Sequence, residues 1–343
     1  MPIHPHHCRA RGALVSALTG ALVACTSSPP TPPPLPTQTA TALFAVDFDG
    51  DGSDDIATVH DNTLHWMNHQ VALTGAIAAH EAVDLDGNGS EELVLALRRS
   101  RSHPSAEPQL LVVDADAALP HTLPRTDRHR ITDLSAYGNR LFVTALGGGK
   151  KAIGGWWTAD SFEAVTEATM GMSQQVVSAE SIAVGRIYGD APKSNGRLEL
   201  HTETGMTVLP SRRGIRTVVT ADINRDGHED IVASDGWHFK YGEHAEARLS
   251  LYLGPDFTDY RVIGTIDGDY TINRIDVVPT APPVVVATGT SKVVAFTLDA
   301  LGWTPITIGT TKEGAEATVL KAQSQYWVAL PGEPVQIQEL PSL

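Results

Sequence analysis

Cysteine is almost absent from this sequence of 343 residues, which contains only Cys8 and Cys25. Cys8 falls within a leader that we expect to be removed, so the mature chain would retain Cys25 alone. One cysteine permits neither a disulfide framework nor a zinc site built from cysteine ligands. The folded domain must therefore be stabilised in some other way.

Long hydrophobic runs are also absent. The apolar, uncharged stretch at residues 13–24 follows Arg9 and Arg11 and is too short to cross a bilayer as a helix. It suits the hydrophobic region of a signal peptide. It runs into residues 22–25, LVAC, which resemble the bacterial lipobox. We predict a signal peptide at 1–24 and lipidation of Cys25; the alternative is an ordinary secretory peptide with an incidental cysteine.

Proline is concentrated directly after this point. Residues 25–40 read CTSSPPTPPPLPTQTA, and such a segment extends by about 3.1 Å per residue. We interpret residues 25–40 as a lipidated cysteine with a proline-rich linker, and 41–343 as the folded domain. Because Thr26 rather than aspartate follows the cysteine, the resemblance to Gram-negative lipoproteins implies a bacterial cell envelope location, anchored in the outer membrane.

Basic residues are too few for a nucleic-acid-binding protein. The chain has 25 Lys and Arg against 40 Asp and Glu, a formal net charge of −15. A balance of this sign argues against non-specific binding to nucleic acid. It suits a protein that holds cations.

Long helical periodicity is nearly absent as well, and short strand-like stretches recur instead. Three segments share the pattern D-x-[DN]-x-[DN]-G-x-x-[DE] between two such stretches, at 47–55, 84–92 and 222–230. Weaker copies of the two-strand frame occur at 132–145, 181–201, 272–289 and 317–330. A repeat of roughly 40–50 residues made of short strands is typical of propeller blades. We predict an all-β fold, a β-propeller of seven blades of four antiparallel strands, closed by contact of the last blade with the first; six or eight blades stay open.

The three acidic segments predict calcium sites. Neighbouring carboxylates about 4 Å apart repel by roughly 4 kcal/mol at an effective dielectric near 20, so the clusters need a counter-ion. Oxygens at positions 1, 3 and 5, a carbonyl at position 7 and a later acid suit Ca²⁺, and a glycine at position 6 permits the bend. The alternative is a set of solvated Asp-Gly turns.

Strand, acidic loop and strand, repeated in one phase, resemble the FG-GAP or VCBS repeat family of calcium-binding propellers, which includes the integrin α-chain head. The resemblance implies one Ca²⁺ in each loop, between the first two strands of a blade, with side-chain ligands at positions 1, 3, 5 and 9 and a backbone carbonyl at position 7. The implied ligands are Asp47, Asp49, Asp51, Ser53 and Asp55; Asp84, Asp86, Asn88, Ser90 and Glu92; and Asp222, Asn224, Asp226, His228 and Asp230.

Nucleophile and zinc-hydrolase signatures are missing, since the sequence contains neither G-x-S-x-G nor H-E-x-x-H. We assign no catalytic residue and expect a calcium-stabilised surface scaffold that binds a protein or glycan. The alternatives are a propeller enzyme (a lyase, a lactonase or a quinoprotein) with its site in the central channel, and a purely structural envelope component. The histidines at 60, 65, 69 and 80 suggest a metal cluster, but we expect them to be polar residues on outer strands.

Basic and aromatic residues follow the second strands of blades 2, 3 and 5. We expect these connections to lie at the end opposite the calcium loops, where they could bind an anionic or sugar-bearing ligand. The alternative is a set of tolerated insertions. The candidate ligand-binding residues are Arg98, Arg99, Arg101, Lys150, Lys151, Trp156, Trp157 and Trp237.

Overall fold

The computed structural model of the protein describes residues 39–340 apart from 101, 106, 123–129, 148–150, 159–160, 170, 188–195, 212–213, 238–246, 270, 301, 313–314, 323–324 and 333–334. At 168–169, 171–172 and 235–237 it describes the backbone alone. The predicted signal peptide, Cys25 and almost all of the linker lie outside these residues. Every regular element within them is a β-strand. Among them, no helix has the length and apolar character needed to span a membrane.

The strands form seven antiparallel sheets in chain order, which are the blades of the predicted propeller. Blade 1 contains β1 (Ala42–Val46), β2 (Asp55–His60), β3 (Thr63–Trp66) and β4 (His69–Ala72). Blade 2 contains β5 (Ala76–Val83), β6 (Glu92–Arg98), β7 (Gln109–Val113) and β8 (Ala118–His121). Blade 3 contains β9 (Arg130–Tyr137), β10 (Arg140–Leu146), β11 (Lys151–Thr158) and β12 (Ser161–Thr169). Blade 4 contains β13 (Gly171–Ser178), β14 (Ser181–Arg186), β15 (Leu198–Thr202) and β16 (Gly205–Leu209).

The remaining three blades follow the same order. Blade 5 contains β17 (Gly214–Ala221), β18 (Asp230–Trp237), β19 (Ala247–Leu253) and β20 (Asp259–Ile266). Blade 6 contains β21 (Ile272–Val278), β22 (Val284–Gly289), β23 (Lys292–Asp299) and β24 (Gly302–Thr310). Blade 7 contains β25 (Thr318–Ala322), β26 (Gln325–Leu330) and β27 (Gln336–Glu339), the three strands of this blade within the described residues.

The position of a strand in its blade explains its composition. Second strands such as β6 and β22 are runs of buried apolar residues, because neighbouring blades cover both of their faces. Fourth strands such as β4 and β16 are mostly exposed, since they lie at the outer edge of the sheet. First strands such as β5 are half-buried because one side faces the central channel.

One apolar cluster fills each of the seven interfaces between adjacent blades. Phe44 of blade 1 packs with Leu95 of blade 2, for example, and Phe142 of blade 3 packs with Val184 of blade 4. No blade could bury these faces alone, so stacking around a closed ring supplies the stability that the missing disulfides do not.

The last blade meets the first, as the sequence predicts. Leu320 and Trp327 of blade 7 pack with Leu43 of blade 1 in one buried cluster. The Thr318 hydroxyl donates a hydrogen bond of 2.7 Å to the Leu43 carbonyl. The ring is therefore closed by side-chain packing and hydrogen bonds between two separate sheets.

The frame proposed at 181–201 is wrong by one strand. It corresponds to β14 and β15, the second and third strands of blade 4, whereas the first strand is β13. The β13 sequence, GMSQQVVS, was missed because it contains Ser173 and Gln175, polar residues that line the channel. A channel-lining strand does not need the apolar pattern of a buried one.

Candidate metal sites and the central channel

The three acidic segments connect the first and second strands of blades 1, 2 and 5. We name them loop 1 (47–55), loop 2 (84–92) and loop 3 (222–230). First strands of successive blades lie side by side in the same direction, so these loops emerge together at one end of the propeller, the loop end. Connections between second and third strands emerge at the other end of the propeller, which we name the opposite end.

Loop 1 is held by hydrogen bonds from its backbone to its own carboxylates. Asp47 accepts the N–H of Asp51 at 3.0 Å on Oδ1 and the N–H of Gly52 at 2.8 Å on Oδ2. Asp49 and Asp51 each accept the N–H two residues further on, at 3.1 and 2.8 Å. These bonds gather the side chains of positions 1, 3 and 5 into one tight turn.

The same framework recurs in the other two loops. Asp84 makes the corresponding pair of bonds in loop 2, at 3.1 and 2.9 Å, and Asp222 makes them in loop 3, at 3.0 and 2.9 Å. The glycine at position 6 adopts a left-handed φ each time, +85° at Gly52, +93° at Gly89 and +87° at Gly227. A side chain there would be strained, so the role predicted for this glycine is confirmed.

Loop 1 has the features of a cation site. Among the described residues, Asp47, Asp49 and Asp51 form a group of three whose ligand oxygens all lie within 4.8 Å of one another. Asp55 Oδ2 is buried and has no hydrogen-bond partner among those residues. Burial raises the pKa of Asp55, and the nearby charges of Asp49 and Asp51 raise it further. A hard divalent cation would neutralise this repulsion and supply the missing partner, so the donor set fits Ca²⁺.

The acid of position 9 bonds to the backbone of its own loop, to Phe48 in the case of Asp55 in loop 1. Glu92 Oε2 accepts the Leu85 N–H at 2.7 Å. Asp230 accepts the Ile223 N–H at 2.9 Å on Oδ2 and the Gly254 N–H at 2.8 Å on Oδ1. The acid therefore anchors the loop backbone, and in loop 3 it also ties the loop to the segment after β19.

Sequence reasoning missed a second acidic position. The acids at position 8 of loops 1 and 2 bond to the preceding blade, within its first strand or at the residue that follows that strand. Asp54 donates its N–H to the Lys321 carbonyl at 2.7 Å and accepts the Lys321 N–H at 2.6 Å. Glu91 makes the same pair of bonds with Asp47, at 2.8 and 3.1 Å. The signal was present, because all three loops carry an acid at position 8 that the calcium ligand set does not use.

The basic residues proposed at the opposite end do not form one patch. Arg99 pairs with Glu107 at 3.5 Å, and Lys151 pairs with Glu167 at 2.6 Å. Arg98, at the end of β6, lines the central channel instead. Arg101 and Lys150 lie outside the described residues.

The tryptophans proposed for the same patch lie elsewhere. Trp156 and Trp157 are inside β11 and pair with Phe142 and Leu141 of β10, next to the β9–β10 turn at the loop end. Trp157 is buried in the interface between blades 2 and 3, and the Arg140 guanidinium lies 3.9 Å from the ring centroid of Trp156. Their placement at the opposite end was wrong, because β11 carries the chain back across the blade. Trp237 ends β18, and its side chain lies outside the described residues.

The four histidines do not form a cluster. His60, His65 and His69 lie on β2, β3 and β4 of blade 1. His80 lies on β5 and lines the channel, so its predicted place on an outer strand is wrong.

The central channel contains a cavity of about 630 Å³, lined by the first strands of blades 2 to 6. Arg274 of β21 lines this cavity and binds both carboxylate oxygens of Asp276 through Nε, at 2.9 and 3.0 Å. Its Nη1 also contacts His80 Nε2 across the channel. Burial, with the Arg274 charge, lowers the pKa of His80, so this imidazole is neutral and accepts the hydrogen bond.

Two carboxyl groups in the channel have a pKa well above the ordinary value. Burial raises the pKa of Asp133 to about 7, although Ser173 Oγ, at 2.7 Å, and Gln175 Nε2, at 3.1 Å, both donate to it. Burial also raises the pKa of Glu81 to about 8, because the attraction of Arg274 does not offset the lost hydration. The sequence held no signal for this cluster, since its members come from different blades.

Comparison with known proteins supports the fold. No family model and no curated protein matches the sequence. Among solved structures, an extracellular domain from B. thetaiotaomicron, described as part of a one-component system, has a TM-score of 0.55 at 11% identity and matches over 89% of this chain. This chain spans only 40% of that protein.

Two further structures match over most of both chains. The N-terminal domain of Nup159 has a TM-score of 0.50 at 10% identity, covering 88% of this chain and 90% of that domain. A chain of the nidogen/laminin complex has a TM-score of 0.48 at 13% identity, covering 79% of this chain and 92% of that one. At such identities the likeness concerns the fold alone: the protein is a seven-bladed β-propeller.

Proposed function

We propose that this protein is a calcium-stabilised lipoprotein of the bacterial cell envelope, of FG-GAP or VCBS type, whose propeller is a binding scaffold for a protein or a glycan. The observation that carries the calcium assignment is the common hydrogen-bond framework of loops 1, 2 and 3, three copies at the same place in three blades. Solvated turns would have no reason to repeat both the acids and this geometry.

The scaffold role rests on the rigidity of the ring. All seven interfaces between blades are filled by buried apolar clusters, and loops 1 and 2 are bonded to each other through Glu91 and Asp47. Calcium in these loops would fix the connections at the loop end, so that their exposed residues present a constant surface to a partner. Part of the extracellular domain of the B. thetaiotaomicron protein has a similar fold, which is compatible with an exported role here.

Calcium stoichiometry tests the proposal. After chelation and removal of the chelator, equilibrium dialysis against ⁴⁵Ca²⁺ should give three ions bound per chain, with dissociation constants on the order of 10⁻⁴ M. Asp47→Asn, Asp84→Asn and Asp222→Asn should each remove one ion. Glu180→Gln is the matched control, because Glu180 is an exposed acid in the equivalent turn of blade 4 and should leave all three. Absence of bound calcium at millimolar concentration would refute the assignment.

Partner binding needs its own measurement. The calcium-loaded protein should bind envelope glycans or proteins on an array, and chelation should weaken this binding by loosening the loop end. Equal binding with and without calcium would place the partner surface away from these loops.

A further inference from the structure

Arginines gather at the end of the channel opposite the acidic loops. Arg98 ends β6 and Arg130 begins β9, so they come from neighbouring blades, and Arg216 near the start of β17 lies on the same rim. All three are exposed and line the 630 Å³ cavity. A chain with a net charge of −15 thus places several guanidinium groups around one opening.

Two of these arginines are available to a ligand. Within the described residues, Arg98 and Arg130 have no carboxylate within ion-pair distance. Lys151 and Arg261, by contrast, are paired with Glu167 at 2.6 Å and with Asp259 at 2.5 Å. A guanidinium presents several N–H donors in a planar fork that matches carboxylate and phosphate groups.

The channel interior does not cancel this charge. Its acids line the same cavity, but burial raises the pKa of Glu81 to about 8 and that of Asp133 to about 7, so both are partly or mostly neutral near pH 7. Burial also raises the pKa of Glu316. Arginine keeps its charge throughout this range. Asp276 also lines the cavity, but it is paired with Arg274. The three rim arginines therefore face carboxyl groups whose ionisation is disfavoured by burial, and positive charge predominates at the opposite end of the cavity.

The size and lining of the cavity restrict the chemical class of ligand that it can bind. A volume of 630 Å³ lies within the usual range for small-molecule sites, about 300–1,000 Å³. No Phe, Tyr or Trp is among the described residues that line it, so a ligand that depends on ring stacking is disfavoured. We propose that the channel binds a small organic anion, a carboxylate or a phosphate ester, whose charged group is held by Arg98 and Arg130 at the opposite end.

This site is separate from the calcium loops and can be tested in saturating calcium. Isothermal titration calorimetry of the purified protein with succinate and with glucose 6-phosphate distinguishes binding of a carboxylate from binding of a phosphate ester. Glucose and spermidine serve as the neutral and cationic comparisons. We expect at least one anion to bind with a dissociation constant below about 1 mM, and neither comparison compound to do so.

Matched variants locate the site. Arg98→Gln and Arg130→Gln should each weaken anion binding at least about tenfold, the effect of losing one charge-assisted hydrogen bond. Arg99→Gln is the control, because Arg99 is the adjacent exposed arginine and pairs with Glu107 outside the cavity. Calcium stoichiometry of three in each variant would establish that the fold is intact.

Each result of these titrations either supports or overturns the anion site in the channel. Failure of both anions to bind the wild-type protein at 5 mM would overturn the proposal, and so would equal binding of glucose. An equal loss in Arg99→Gln would also overturn it, since the anion would then lie on the outer connection of blade 2. Loss confined to Arg98→Gln and Arg130→Gln supports the channel site.

Discussion

Glu199 of blade 4 forms the most buried ion-pair network of the described residues. Its carboxylate accepts hydrogen bonds from Arg186 Nη1 at 2.7 Å, Arg197 Nε at 2.6 Å and His201 Nε2 at 2.8 Å. The side chains of Glu199 and Arg186 are only 2% and 4% exposed. Burial by itself would raise the pKa of Glu199, but the bonds from His201, Arg186 and Arg197 outweigh it and lower this pKa to about 2.

We predict that Glu199→Gln destabilises the protein strongly. The change keeps the shape of the side chain but removes the negative charge that faces the buried Arg186 guanidinium, and breaking such a pair costs about 3–5 kcal/mol. At about 2.1 cal/mol/K per residue, a domain of about 300 residues has an unfolding entropy near 0.6 kcal/mol/K, so the melting temperature should fall by about 5–8 °C.

The effect should depend on pH in one direction. The folded-state pKa of Glu199 lies below the ordinary value of 4.5, so its contribution is present above pH 4.5 and is lost as pH falls toward 2. Differential scanning calorimetry of wild type and Glu199→Gln at pH 7, 5 and 3 should show the difference shrinking below pH 4.5. The control is Glu203→Gln, an exposed acid in the next turn. A difference under 1 °C at pH 7, or one that persists undiminished at pH 3, would refute the reasoning.

Three further predictions concern calcium, a packed glycine and the anchor. Calcium at 1 mM should stabilise by about 1.4 kcal/mol at each of three sites, so excess chelator should lower the melting temperature by about 7 °C, and an unchanged midpoint would contradict calcium binding. Gly289→Ala would bring a methyl group into overlap with Asp269 Oδ2, so it should cost about 1–3 kcal/mol in denaturant titrations, and wild-type stability would show that Asp269 can move. Cys25→Ser should abolish a lipidated N-terminus in mass spectra of the native protein; an unmodified Cys25 in the wild type would end the lipobox hypothesis.

The position of the acidic loops within their blades could be predicted from the sequence alone. Alternating strands around D-x-D-x-D-G-x-x-D predict both the blade and the turn that joins its first two strands, because the turn chemistry is local to nine residues. Loops 1, 2 and 3 accordingly lie where the sequence places them, and the left-handed Gly52 has the predicted role. Calcium occupancy and the lipid anchor stay predictions that these local patterns support.

Contacts between residues of different blades could be identified only from the tertiary structure. Arg274 contacts His80 although the two lie 194 positions apart, and Asp133 is bound by side chains of the next blade. The strand β13 escaped detection because its polar residues face a channel that exists only once the ring has closed. Trp156 and Trp157 were placed at the wrong end, since composition does not reveal where a strand turns back. Local patterns encode turns and strand faces, whereas a ring joins distant residues only through its closure.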